Sequence, residues 1–341
     1  MNAFFIKEAD FTQFLGNMIG ARKVIGPKAR KNRFVFDQIR KPEDLRLDYD
    51  VTILPPKKVF FPPRQELIRF HGQKGSSCIQ PESTVLFGVH FYDIKAIDMT
   101  DHLFRENNMD FNYLAQRECT TLIGSNVQNI FKRAFFGSVG KGVAPKGHDG
   151  FTTKISGGYL YEVYTAKGKD LLAYGTFIEA TEEQINEARE VNDSVMDKCP
   201  EKINHDSLEI SEKVRSKFNS PVWEEFAHDC FSCGSCNLVC PTCYCFDVQD
   251  NWNVDQVTGS RDRTWDGCLL EDFSSCSLTG GSKENFRETR GSRYRHRIMR
   301  KTSYLTAKLG GPACVGCGRC SSSCTADIAD PVNVINRLME E

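Results

Sequence analysis

Residues 230–241 read CFSCGSCNLVCP, and residues 314–325 read CVGCGRCSSSCT. In each, three cysteines stand two residues apart and a fourth follows three residues on: Cys230, Cys233, Cys236 and Cys240, then Cys314, Cys317, Cys320 and Cys324. This is the run that holds [4Fe–4S] clusters in two-cluster ferredoxins, where the fourth cysteine of each run ligates the other cluster. The spacing lets one loop reach adjacent corners of a cube, while the fourth thiolate arrives from a distant segment. One cluster is therefore expected on Cys230, Cys233, Cys236 and Cys324, and the other on Cys314, Cys317, Cys320 and Cys240. Pro241 turns the chain after the first run, and Thr325 stands at the matching place in the second. That departure touches loop geometry and leaves ligation alone. Two runs in one chain point to two [4Fe–4S] clusters and one-electron transfer.

The competing reading is zinc, which usually takes two separated CxxC pairs rather than three linked steps and a fourth thiol. Three more thiols lie close by: Cys243 and Cys245 in CPTCYC, and Cys268 in TWDGC. They either lie just outside the clusters or replace a ligand, and a small buried hydrophobe is the commoner use of such a cysteine. Cys276 takes the same default. Cys78, Cys119 and Cys199 are isolated and read as structural.

The rest of the chain bounds the class. Fifteen cysteines, twelve of them between residues 230 and 324, suit metal binding in a reducing cytoplasm better than a secreted disulfide framework. Mean hydropathy is −0.42 and no apolar stretch is long enough to span a bilayer, so no membrane partner is expected. Lys7, Glu8 and Asp10 interrupt the N-terminal segment, so it is not a secretory h-region. A net charge of −1 gives no reason to expect nucleic acid. Clusters of this kind are oxygen-sensitive when exposed, which fits anaerobic metabolism.

The 341 residues divide into two expected domains. Residues 1–180 read as a mixed α/β domain. It has a helix over 11–18, strands over 83–94 and 119–127, and a hairpin over 157–174 turning at Lys167-Gly168. Pro55, Pro56, Pro62 and Pro63 demote any nearby strand to an edge or to extended loop. Residues 181–341 read as a mainly helical two-[4Fe–4S] ferredoxin-type domain, making the whole α+β. Thr181 to Gln184 form a capping box, further helices are expected from Ser207 to Phe218 and after Ser220-Pro221, and Asp330-Pro331 opens another. The Gly-rich 137–147 stretch matches no phosphate-binding spacing and reads as a loop. No catalytic constellation stands out.

Seventy-three residues, 241–313, separate the two runs, with an Arg-rich insertion over about 246–313. It carries FRETRGSRYRHRIMRKTSY, with Arg287, Arg290, Arg293, Arg295, Arg297, Arg300 and Lys301. A solvated basic helix is one reading. Cations compensating the cluster thiolates, or docking an acidic partner, is the other.

CFSCGSCNLVCPTCYCFDV, RDRTWDGC, SRYRHRIMRKTSY and CVGCGRC together resemble an iron–sulfur electron-transfer subunit family. Its members include the beta subunit of NiFe sulfhydrogenases and the iron–sulfur subunits of anaerobic sulfite reductase and of heterodisulfide-reductase-associated flavin oxidoreductases. The likeness extends through LRLDYDVTILPPKKVFFPPRQELIRF and VLFGVHFYDIKAID, so it covers nearly the whole chain. The resemblance implies a cytoplasmic, non-catalytic subunit. It would relay electrons between a flavoprotein that oxidises NAD(P)H and a hydrogenase, sulfite reductase or heterodisulfide reductase type subunit. The alternative is an iron–sulfur enzyme acting on a small molecule at one cluster; that needs a missing ligand, and the two runs supply eight. In the family, further cysteines occur in the N-terminal domain; here Tyr92, Ser125, Ala134 and Phe136 stand at the matching places. The resemblance thus implies an N-terminal domain without a cluster, used for docking.

Overall fold

A computed structural model describes residues 2–139 and 146–341. Among these, strands β1 (Asn2–Lys7), β2 (Lys23–Arg30), β3 (Arg33–Ile39), β4 (Arg64–His71), β5 (Lys74–Ser77), β6 (Thr84–His90), β7 (Thr120–Ser125), β8 (Gly150–Ile155), β9 (Gly158–Val163) and β10 (Ile178–Glu179) belong to the first half. Eight of them form one sheet in the order β10-β1-β9-β8-β7-β6-β2-β3. Its centre, β2, β6, β7 and β8, is parallel, and the flanks are antiparallel. Strand β6 is buried along its whole length, as a parallel strand covered on both faces must be.

The two faces follow from the side-chain period of two in a strand, shifted by one residue at a bulge at Gly88. Val85 and Phe87 meet helix α1 (Glu8–Ala21) through Phe11, Phe14, Leu15 and Met18. Leu86 and Val89 face the other way, onto Ile94, Ile97 and Phe104 of helix α2 (Phe91–Arg105) and Tyr113 of helix α3 (Phe111–Glu118). At full burial of a large side chain, about 1.5–3 kcal/mol each, these two layers hold the sheet.

Several expectations are corrected. Strand β6 ends at His90 and Phe91 already opens α2, so the strand expected over 83–94 is shorter. The hairpin is β8–β9, turning at Ser156 and Gly157, where Gly157 has φ +77°. Lys167-Gly168 lies instead in a short helix, Ala166–Asp170, capped by the Thr165 hydroxyl. The residue pattern there suits a turn and a helix alike, and the glycine decides it: a Cβ on Gly168 would lie 2.0 Å from the Asp149 carbonyl oxygen. Strand β4 is no edge. Pro62 and Pro63 precede it, leaving its own N–H groups free to pair on both sides. Strands β1, β2 and β3 are additional to the expected elements. Most of the 137–147 loop reading falls outside the described residues.

The second half holds helices α4 (Glu182–Ser194), α5 (Ser207–Ser216), α6 (Val222–Ala227), α7 (Arg290–Thr302) and α8 (Pro331–Met339), of which α4 and α8 open on the capping residues that announce them. Thr181 and Gln184 make the reciprocal capping box, and the Asp330 carboxylate accepts from the Val332 N–H. Trp223, Tyr294, Ile298, Val334 and Ile335 form their common core. The insertion between the cysteine runs is not helical at its start. Strands β11 (Phe246–Trp252) and β12 (Thr258–Trp265) form a hairpin, and β12 pairs with β4, giving a second sheet in the order β11-β12-β4-β5. The insertion therefore stitches the cysteine-rich half to the first half by backbone hydrogen bonds.

Candidate iron–sulfur sites

Each cysteine run is a loop followed by one helical turn. Gly234 precedes the turn Ser235–Leu238 and Gly318 precedes Arg319–Ser323, at φ +70° and +75°. Positive φ at glycine lets the backbone wrap around the space the first two cysteines line. Gly318 has a second reason: a Cβ there would lie 2.3 Å from the Arg133 carbonyl oxygen.

Cys230, Cys233, Cys236 and Cys324 line one pocket together, floored by Leu269, Tyr294, Ile328 and Ala329. Cys324 thus meets the first run from the far end of the chain. Cys240 in turn lies with the second run: the charges of Cys314, Cys317 and Cys320 each feel it. Among the described residues no three His, Cys, Asp or Glu side chains converge closely enough to hold a single metal ion.

Burial sets the thiols apart from ordinary cysteine. It pushes Cys236 and Cys317 up to about 12 and Cys314 to about 11. Cys240 is held well below its usual value, first by a hydrogen bond with Cys243 and then by the Lys301 ammonium, against its burial. Cys233 is exposed and is lowered by hydrogen bonding to Ser235. Ligation takes a proton from each thiol, and neighbouring cations favour that step.

Those cations are present. Helix α7 is Arg-rich but not simply solvated: Arg293, Arg297 and Lys301, spaced four residues apart on one face, are 3 %, 1 % and 6 % exposed. The charge of Arg297 acts on Cys236, Cys320 and Cys240, and its Nε and Nη1 have no hydrogen-bond partner. A buried guanidinium with idle donors is costly unless it faces an anion. The donor set and this orphaned cation fit iron–sulfur groups. Arg319, inside the second run, instead makes a paired contact with Asp93 of α2, at 2.6 Å to each oxygen, and also donates to the Thr52 carbonyl at 2.8 Å.

Of the extra thiols, Cys243 lies beside Cys240, and Cys268 lies near Cys236. The Asn237 amide lies 3.3 Å from the Cys268 sulfur and 3.7 Å from that of Cys243, and Cys243 touches Cys240. Cys245 is half-buried, near Cys268. Cys199 is buried and accepts the Gly137 N–H at 3.2 Å. Cys276 is exposed in a short strand, Ser275–Ser277, so the buried default fails for it. Sequence reasoning did not reach Lys57: a lysine just after a proline pair is a weak signal, yet it is buried against the Cys243 carbonyl, its ammonium over the Trp265 ring.

The four N-terminal positions also gather. Tyr92 stacks on Phe136 at 5.7 Å, and both pack with Ala134 and with Cys317 of the second run. Ser125 pairs with His90 across β6 and β7, and His90 hydrogen-bonds the Tyr92 hydroxyl. Aromatic rings fill this place.

A 4Fe–4S dicluster domain is matched over residues 229–328, the interval containing both runs. The chain is 31 % identical over 332 residues to sulfhydrogenase 2 subunit beta of Pyrococcus furiosus, covering 97 % of this chain and 96 % of that protein. The chain belongs to this iron–sulfur electron-transfer subunit family. No solved structure matches it. As a family member it carries 4Fe–4S centres and serves electron transfer, and among the described residues no helix is long and apolar enough to cross a membrane.

Proposed function

We propose that this chain is the relay subunit of a multi-subunit oxidoreductase. It holds two [4Fe–4S] clusters and passes single electrons between a flavoprotein that oxidises NAD(P)H and a catalytic subunit of the hydrogenase type or its sulfite reductase or heterodisulfide reductase counterparts. The observation that carries the reading is the shared pocket of Cys230, Cys233, Cys236 and Cys324. When bound, such a cluster takes up and releases one electron with little change of shape. The protein's part is to supply thiolates from two segments far apart in sequence, exclude water with Leu269, Tyr294 and Val315, and set the local charge with α7. The matched relative, a sulfhydrogenase subunit, supports an oxidoreductase partner. The stacked Tyr92 and Phe136 support an N-terminal half that docks partners rather than carrying a further cluster.

Iron and acid-labile sulfide per chain, measured on anaerobically purified protein with EPR of the reduced state, test this. About eight irons are expected for two cubes. Cys240→Ala should abolish the centre of Cys314, Cys317 and Cys320 and spare the other, while Cys243→Ser, Cys245→Ser and Cys268→Ser keep both. About twelve irons, or loss of the first centre in Cys240→Ala, overturns the assignment.

A further inference from the structure

We infer that Arg297 and Lys301 make the two thiol sites electrostatically unequal, so that the site of Cys240, Cys314, Cys317 and Cys320 has the higher midpoint potential. The inference rests on the two-site reading above and adds an order to it.

The two side chains stand one turn apart on the buried face of α7. Arg297 is buried with Nε and Nη1 unpartnered, and its charge acts on Cys236 of one site and on Cys240 and Cys320 of the other. Lys301 stands at the second site, one hydroxyl away from Cys240, since Thr242 Oγ1 lies 3.4 Å from the Cys240 sulfur. It donates to the Thr242 hydroxyl at 2.7 Å, and Cys240, Cys243 and Cys314 are the thiols it feels. Among the described residues Lys301 pairs with no carboxylate. Lys57 adds a second buried ammonium on the same side, facing Cys243, Cys240 and Cys245.

The remaining charges do not cancel this. Asp93 acts on Cys317, but Arg319 neutralises it through two 2.6 Å contacts. Asp330 acts on Cys320 and lies 3.4 Å from Arg133. At the first site the additional cation is Arg293, 3.2 Å from the Ser232 hydroxyl, with Glu271 opposite it at 3.9 Å. Cys233 there is open to water. Solvent at Cys233 also favours a reduced site. It does so less than uncompensated buried cations, whose interactions are several-fold stronger in the low-dielectric interior and are little screened by salt. An electron added to a site brings one negative charge and, with these ligands, no proton. The site with more uncompensated cations takes it first.

The test is an EPR-monitored redox titration of the anaerobically purified full chain, with dithionite supplying the electrons. Cys240→Ala identifies which signal belongs to the second site. Lys301→Met should lower the midpoint of that signal only, at unchanged iron and sulfide content. Arg297→Met should lower both, and Arg297→Lys should restore most of the shift. Added chloride should leave the difference between the two midpoints in place. Should Arg297→Met fail to retain iron, Lys301→Met and Arg297→Lys decide the matter. Midpoints unmoved in Lys301→Met with full iron, equal movement of both signals, or a second site lower than the first in the unmodified protein each overturn the inference. A chain holding fewer than about eight irons would instead remove the two-cube reading beneath it.

Discussion

Replacing Asp93 by Asn should destabilise the protein severely, because Asp93 is the counter-charge of an arginine that has no water to turn to. The Arg319–Asp93 side chains are 2 % and 0 % exposed and meet through two 2.6 Å contacts. Burial pushes the Asp93 carboxyl up and Arg319 opposes it. Breaking a buried pair by removing one partner costs about 3–5 kcal/mol, a large share of the 5–15 kcal/mol that typically holds a protein together. Arg319 sits between Cys317 and Cys320, while Asp93 lies on α2, so the same substitution uncouples the second cysteine run from the sheet. Cluster proteins rarely unfold reversibly, so the assay is the rate of unfolding in urea, followed by tryptophan fluorescence and bleaching of visible absorption. Asp93→Asn should unfold on the order of a hundredfold faster or more if the pair is broken in the transition state. The double substitution Asp93→Leu with Arg319→Met should be milder than Asp93→Asn alone, since neither charge is then stranded. The exposed Arg46–Asp48 pair is the internal control, and Arg46→Ala should cost about 1 kcal/mol or less. An Asp93→Asn rate within about twofold of the unmodified protein, or a double substitution worse than the single, would falsify the stranded-charge explanation.

Other outcomes follow from single sites. Gly318→Val should abolish the second centre while leaving the first, because φ is +75° and the new Cβ would meet the Arg133 carbonyl at 2.3 Å; the left-handed backbone alone costs about 1–2 kcal/mol, before the overlap. EPR of the purified variant reads this, and two intact signals would count against the close approach. Stability should also fall as pH drops from about 6.5 toward 4. Burial holds His148 and His296 down to about 4 and His90 well below its usual value, so the unfolded chain binds protons there that the folded chain refuses. Each contributes at most about 1.4 kcal/mol per pH unit across that window, and less for the half-buried His148 and His296. His148→Gln should flatten the slope of unfolding rate against pH, whereas a slope unchanged by it assigns the acid sensitivity elsewhere.

How much was legible depends on the range of the interaction. The cysteine runs are local patterns: CxxC spacing is itself the geometry of a loop around a cube. The capped helices are local too, since Thr181 with Gln184 and Asp330 with Pro331 close their first turns within four residues. Even the choice between a solvated and a buried basic helix was half visible, as Arg293, Arg297 and Lys301 share one face. What failed had no local signature. Lys167-Gly168 suits a turn as well as a helix until Asp149 crowds it. Strand β4 could be placed only once β12, nearly two hundred residues later, supplied its partner.

The sequence by itself determined which atoms are available: eight thiols in two runs, a basic helix beside them, and α+β elements of roughly the right kinds. The tertiary structure decided which charges act on which thiols. Arg297, Lys301 and Lys57 are ordinary cations in the sequence, and burial leaves them without water, so their fields fall on the cysteines they face. Arg319 is equally buried, but Asp93 cancels it. Net charge adds along a sequence, whereas electrostatic work depends on distance and dielectric, and those exist only once the chain has folded.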